Sequence, residues 1–228
     1  MTASNDFHID RSLIVRRPES AAPANGTARP LLQIFYGISS PWAYLGAPRA
    51  YALADRLGAD LALRPIRVIQ ANGGIPLRTR PDARQHYHAV ELDRWRRRLD
   101  MPLNLEPRFY PCRTIELAAQ AVIAVTQAGL DGRAYSFAVQ RALWAEDRDI
   151  ADVATLRAIA RETLGDPLDD LDFESPAAAV VEAWENDLAT AENLGIFGTP
   201  TYVVGTELFW GQDRLDFVEE ALEAQRTS

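Results

Sequence analysis

The chain has 228 residues, 47% of them apolar and 25% charged, and a formal net charge of −8. At roughly 100–200 residues per domain, that length predicts one large domain, or a small one carrying an insertion. The acidic balance argues against a nucleic-acid or membrane-surface binder, whose footprint is usually basic, and no apolar run approaches the roughly 18 residues of a membrane span.

Residues 1–29 show no sustained period and read as a flexible arm, with a short apolar patch at Ile9 to Val15. The fold is expected to begin at Leu31, where an apolar run to Tyr36 ends at Gly37 and suits a buried strand. Ser40 is placed as an N-cap and Pro41 as the first helical residue of a helix running to about Leu57, where Gly58 stops it. Pro48 lies inside that helix and should kink or break it. Asp60 to Pro65 reads as a second strand, which completes a βαβ unit with parallel strands. Residues 70–80 form a polar loop rich in Gly and Pro.

The following hundred residues read as helical. His88, Leu92, Trp95 and Leu99 share one helix face. Further helices are expected at Thr114 to Gln127, Tyr135 to Trp144 and Asp152 to Leu164. A fifth should open at Ser175-Pro176, carry Val180, Val181, Trp184, Leu188 and Ala191, and end near Gly195. Thr201 to Val204 and Glu207 to Trp210 then form a hairpin about Gly205-Thr206. Gly211 ends the pairing, and a last helix begins near Gln212. The layout predicts an α/β, thioredoxin-like fold with an all-helical domain inserted between the βαβ and ββα halves. The expected boundaries are 30–70 and 195–228 for the thioredoxin-like part, and 71–194 for the insertion.

One cysteine, Cys112, excludes an internal disulfide framework, and with three histidines it argues against a Cys/His zinc site. No metal is expected. With an N-terminus that lacks a signal peptide's pattern, this predicts a cytoplasmic protein. All 24 basic residues are arginine, so Schiff-base lysine chemistry and a P-loop are excluded. Anions must be held by arginine forks, backbone N–H groups or helix ends.

Four places stand out. Ser40 sits at a strand-to-helix turn, where a hydroxyl and the positive helix end together stabilise a thiolate; the same serine is also a good plain cap. Thr199-Pro200 precedes a strand, and a cis bond there would turn the Thr199 backbone outward to pair with a peptide-like ligand. Gln212 and Asp213, at the start of the last helix, suit the carboxylate and amino group of an amino acid, and Asp213 also complements the helix dipole. The loop at Asn72-Gly73-Gly74 leads to Arg78 and Arg80, which can meet a ligand carboxylate or lie on the solvated surface. Trp42 and Tyr44 either line a pocket or pack in the core. Cys112 reads as a buried or neutral thiol.

In this order and spacing, three segments resemble the 2-hydroxychromene-2-carboxylate isomerase family, relatives of kappa-class glutathione transferases in the DsbA-like branch of the thioredoxin superfamily. They are Phe35 to Gly46, Gly195 to Thr201, and Leu208 to Leu215. The likeness covers about residues 31 to 225. It implies a glutathione-dependent isomerase of aromatic catabolism. In that scheme Ser40 contacts the glutathione sulfur, Thr199 and Pro200 hold its backbone, and Gln212 and Asp213 bind its γ-glutamyl end. Asn72 would also contact glutathione, while Trp42, Tyr44 and Arg78 would bind substrate. The reaction implied is thiolate addition to, and elimination from, an aromatic-derived acid. A homodimer acting on a small molecule, with no nucleic-acid or membrane partner, is implied as well. Relatives often carry an acidic residue at Gly37 and a serine at Ala43. The lysine of kappa enzymes has no counterpart, which leaves Arg78 or Arg80 for its role. The alternatives are a kappa-like transferase or a DsbA-family protein without redox activity. Ser40-Pro41-Trp42-Ala43 lacks the Cys-x-x-Cys that disulfide exchange needs.

Overall fold

Leu32, Ile34, Phe35 and Tyr36 are buried along the first strand, β1 (Leu31–Tyr36), as expected of a strand covered on both faces. The computed structural model describes residues 29–165 and 171–227. The expected N-terminal arm, including Ile9 to Val15, lies outside the described residues except for Arg29. That residue is anchored: its Nε donates to the carbonyl of Gly58 at 2.8 Å, and its guanidinium pairs with Asp60 at 3.2 Å.

Helix α1 (Pro41–Leu57) starts at the Ser40 cap and stops at Gly58, whose φ of 63° is left-handed. It runs on through Pro48, so the expected break does not occur. The proline costs one helical hydrogen bond, but ten residues of the helix before and after it are buried, at Pro41, Ala43 to Ala47, Ala50, Leu53, Ala54 and Leu57, and that packing holds the helix together. Strand β2 (Asp60–Pro65) pairs in parallel with β1 from Leu31↔Asp60 to Tyr36↔Pro65.

Among the described residues, five α-helices then precede the next strand: α2 (Asp82–Leu99), α3 (Glu116–Gln127), α4 (Gly132–Ala145), α5 (Val153–Leu164) and α6 (Ala178–Asn193). Side-chain caps at Asp131 and Asp152 start α4 and α5. Ser175 does not cap α6, contrary to expectation. The Asp172 carboxylate accepts from the N–H groups of Glu174 and Ser175, which commits that stretch to a turn, and the helix begins two residues later behind Ala177. Val180, Trp184, Leu188 and Ala191 form the buried stripe of α6, whereas Val181 is exposed.

The chain re-enters the sheet as β3 (Thr201–Val204), antiparallel to β1, and turns at Gly205 (φ 59°) into β4 (Glu207–Trp210). The sheet order is β2-β1-β3-β4. After Gly211 a single 3₁₀ turn, Gln212–Arg214, leads into α7 (Leu215–Thr227), which buries Leu215, Val218 and Leu222. This is a thioredoxin-like fold with its helical insertion between β2 and β3.

The inserted helices lean on the sheet. Helix α4 packs on α1, and α6 packs on β2 and α3. Tyr36 of β1 and Ser136 of α4 share a buried hydrogen bond of 2.7 Å. Arg64 of β2 reaches the buried carboxylate of Asp187 on α6 at 2.5 Å. Among the described residues, no helix is long and apolar enough to cross a membrane.

Candidate active site

Three chain reversals meet at one end of the sheet. The first is the turn from β1 into α1, closed by a 2.9 Å bond from the Ser40 N–H to the Gly37 carbonyl. There Ser40 takes an extended conformation, and its Oγ accepts the Ala43 N–H at 3.3 Å. The same hydroxyl lies 3.4 Å from the Thr199 carbonyl and donates to it. At that length the bond is weak, and the proton is free to turn to a better acceptor.

The second reversal is Gly198-Thr199-Pro200. The Thr199–Pro200 bond is cis, as is Tyr110–Pro111. No backbone acceptor among the described residues takes the Thr199 N–H. The third is the start of the last helix. Gly211, at φ 108°, adopts a conformation that suits only glycine, and its N–H donates to the Pro200 carbonyl at 2.9 Å. That bond ties the proline loop to Gln212 and Asp213.

Arg49 supports the third reversal from behind. Its Nη2 donates to the Gln212 carbonyl at 2.9 Å and also to the side-chain oxygen of Gln212. Gln212 is buried, with its Cβ packed so near Gly46 that any side chain there would collide with it. Asp213 is exposed and pairs with Arg214 at 3.3 Å.

Between these reversals and the helical insertion lies a cleft of about 540 Å³, within the size range of ligand pockets. Ser40, Trp42, Thr199, Gln212 and Asp213 all line it. Pro200 lies just behind the wall, buried beside Tyr36 and Tyr202.

Three other expected residues are placed elsewhere. Asn72 caps a helix end: its Nδ2 donates to the carbonyls of Glu192 at 2.9 Å and Ile196 at 3.1 Å, where α6 closes. Tyr44 points into the core, where its hydroxyl donates to the Pro102 carbonyl at 2.9 Å and its ring stacks on Phe137. Arg78 is exposed and donates to the Tyr110 carbonyl at 3.3 Å.

The opposite wall comes from the insertion and was only partly visible in the sequence. Arg80, Tyr87, His88, Trp95 and Tyr110 line it. The shared face of His88 and Trp95 on α2 was legible as a face, but not what it covers. The indole N–H of Trp42 donates to His88 Nδ1 at 3.2 Å, with the rings edge to face. Burial, and secondarily the Arg80 charge, push the His88 pKa down to about 4, so the ring is neutral at physiological pH. Burial pushes the Cys112 thiol up to about 11 and Asp149 adds to the effect, so it stays protonated and is a poor nucleophile.

Comparison with known proteins agrees with this architecture. The profile of the DSBA-like thioredoxin domain matches residues 31–223. A 2-hydroxychromene-2-carboxylate isomerase of Pseudomonas sp. (strain C18) is 30% identical over 197 residues, covering 84% of this chain and 90% of that protein. The enzyme of the same name from Pseudomonas putida is 29% identical over 197 residues, covering 84% and 94%. Among solved structures, a 2-hydroxychromene-2-carboxylate isomerase superposes with a TM-score of 0.65 at 21% identity, covering 85% of this chain and 95% of that one. The cytosolic disulfide reductase DsbM of Pseudomonas aeruginosa superposes with a TM-score of 0.58 at 21% identity, covering 86% and 95%. With a serine where disulfide chemistry needs cysteine, and with its closely matching length, the chain belongs to the DSBA-like thioredoxin domain family, alongside the 2-hydroxychromene-2-carboxylate isomerases.

Proposed function

We propose that this protein is a glutathione-dependent isomerase of the 2-hydroxychromene-2-carboxylate isomerase type. The observation that carries the reading is the position of Ser40. Its hydroxyl stands at the N-terminus of α1, on the wall of a cleft that Thr199, Gln212 and Asp213 also line, in a chain whose relatives bear that name.

The residues present fit a tripeptide thiol. The Thr199 N–H, without a backbone acceptor among the described residues, suits a peptide carbonyl. Asp213, exposed at the cleft, suits an ammonium group, and the N–H groups of the 212–214 turn suit a carboxylate. Arg49 holds Gln212 in place for that contact. When bound, glutathione would supply a thiolate that adds to an electron-poor carbon of an aromatic-derived acid and leaves again, so that a double bond isomerises.

Ser40 then does two things. It keeps capping α1 through Ala43, and it turns its proton from Thr199 to the sulfur. A hydroxyl that donates to the charged form lowers a thiol's pKa, and the end of α1 acts in the same direction. The aromatic cleft wall excludes water and positions the substrate. A half-buried Cys112 whose thiol is pushed up to about 11, and the lack of cysteine at the α1 turn, speak against redox turnover. A cytoplasmic setting, where glutathione is abundant and thiols stay reduced, is part of the same reading.

The test is calorimetric titration of glutathione, together with an isomerisation assay on 2-hydroxychromene-2-carboxylate with and without glutathione. One site per chain and glutathione-dependent turnover are expected. Turnover that ignores glutathione, or no binding, would refute the reading.

A further inference from the structure

Two pairs of side chains join α1 to α2. Trp42 donates to His88, and the Arg49 guanidinium lies over the Trp95 ring, its Cζ 5.6 Å from the ring centroid. On each helix the two members are seven positions apart, about two turns, so they share a face and form one seam. The seam joins the insertion to the thioredoxin-like half, and Trp42 and Trp95 both line the cleft that it borders.

Arg49 pairs with no carboxylate among the described residues. Its contacts are the carbonyl and side-chain oxygen of Gln212 and the face of Trp95. Its Nε is buried and makes no hydrogen bond, so Gln212 and the indole between them set where the guanidinium lies. Burial pushes the Arg49 pKa below its ordinary value, the mark of a partly dehydrated cation, and cation–π attraction strengthens as water is removed. Arg98 also lies over the Trp95 ring, at 5.5 Å, but it is exposed and belongs to α2 itself, so it links nothing to α1. Gln212 is buried and opens the 212–214 turn. The contacts therefore run from the insertion to that turn: Trp95 to Arg49, and Arg49 to Gln212.

We infer that Trp95 is a positioning residue for the amino-acid end of the thiol ligand: from the insertion it fixes Arg49, and through Arg49 the turn whose N–H groups and Asp213 meet that end. The assignment deepens the glutathione reading and rests on it for the identity of the ligand. It gives the inserted helices a part in thiol binding as well as in walling the cleft. Without the ring, the guanidinium is free to turn toward water, and the turn loses the group that aligns it. Ser40 and Thr199 belong to the other two reversals, so the loss falls first on the γ-glutamyl end.

Glutathione and N-acetyl-cysteinylglycine, which keeps the thiol and the peptide but lacks the γ-glutamyl carboxylate and amino group, are the probes. Both are followed by ligand-observed NMR titration, which reaches millimolar affinities. Trp95→Leu should weaken glutathione about fivefold to tenfold and leave N-acetyl-cysteinylglycine within about twofold. Trp95→Phe, which keeps an aromatic face, should recover most of the loss. Arg49→Met should weaken glutathione at least about tenfold, and adding Trp95→Leu to it should cost no more than about a further twofold, because the ring acts through Arg49. Trp95→Met takes the place of Trp95→Leu if the leucine variant does not fold. Additive losses in the double variant would overturn the inference by placing Trp95 directly on the ligand. Equal weakening of both probes, or none of either, would overturn it by reducing Trp95 to packing, and both results leave the isomerase reading intact. Failure of the wild type to bind glutathione would strike that reading and this assignment with it.

Discussion

Replacing Ser40 by alanine separates the two roles of one hydroxyl, because each has its own magnitude and its own readout. As a cap, Ser40 accepts the Ala43 N–H at 3.3 Å, and the replacement leaves that donor unpaired at the start of a 17-residue helix. Losing such a cap costs about 1 kcal/mol. At this chain size that lowers Tm by roughly 2–4 °C. As a thiolate partner, the hydroxyl gives up a weak 3.4 Å bond to Thr199 and gains a bond to a charged sulfur. A hydrogen bond to a charged group contributes about 1.5–3 kcal/mol, and one pKa unit corresponds to about 1.4 kcal/mol. Removing a donor to the anion favours the protonated form, so the bound thiol's pKa should rise by about 1–2 units. The assay is the ultraviolet thiolate absorbance of the glutathione complex as a function of pH, for both proteins, alongside thermal unfolding. Turnover should fall in step with the thiolate fraction at neutral pH. A Tm that drops as expected while the bound thiol titrates identically in both proteins would reduce Ser40 to a cap and refute the mechanism.

Other outcomes follow from the same contacts. Asn72→Ala removes the donor to Glu192 and Ile196 and should cost about 1–2 kcal/mol in urea unfolding, with glutathione affinity unchanged; a lost affinity would return Asn72 to the cleft. Gly46→Ala places a Cβ 2.7 Å from the Tyr202 hydroxyl and 2.8 Å from Gln212 Cβ. Overpacking of about 1–3 kcal/mol and weaker glutathione binding through a displaced Gln212 should follow, measured by unfolding and calorimetry. The His88 pKa, held near 4 against an ordinary 6.5, makes the unfolded chain the better proton binder between those values. Stability contributed by the neutral ring is therefore complete above about pH 6.5 and falls as pH drops toward 4. For a ring still partly open to solvent the loss is about 1–2 kcal/mol. An NMR titration that finds the His88 midpoint above 6 would contradict its burial.

Where local rules act alone, the residues were enough. Ser40-Pro41 and Gly58 bounded α1, Gly205 set the hairpin, and alternating or continuous apolar runs marked all four strands. Ser40, Thr199, Gln212 and Asp213 were legible because each sits at an element boundary, where unpaired backbone groups announce a potential site. Errors arose where a neighbour competed. Asp172 accepts the N–H groups of Glu174 and Ser175 and holds Ser175 in a turn, so the helix starts behind Ala177 instead. Pro48 was tolerated because the surrounding helix faces are buried. Asn72 has the residue type of a ligand contact, yet three carbonyls at the end of α6, 119 to 124 positions away, claim its amide.

Short-range pattern thus determined the elements, their order and the turn that carries the hydroxyl, since caps, turns and periodicity depend on residues a few positions apart. The far wall of the cleft depended on how the insertion folds back. Periodicity shows that His88 and Trp95 share a face of α2, but it carries no information about which surface that face meets. Trp42 lies 46 positions before His88, and Arg49 lies 163 before Gln212. Pairings at such separations come from the packing of the whole core, and that packing chose Arg80 for the cleft and left Arg78 at the surface.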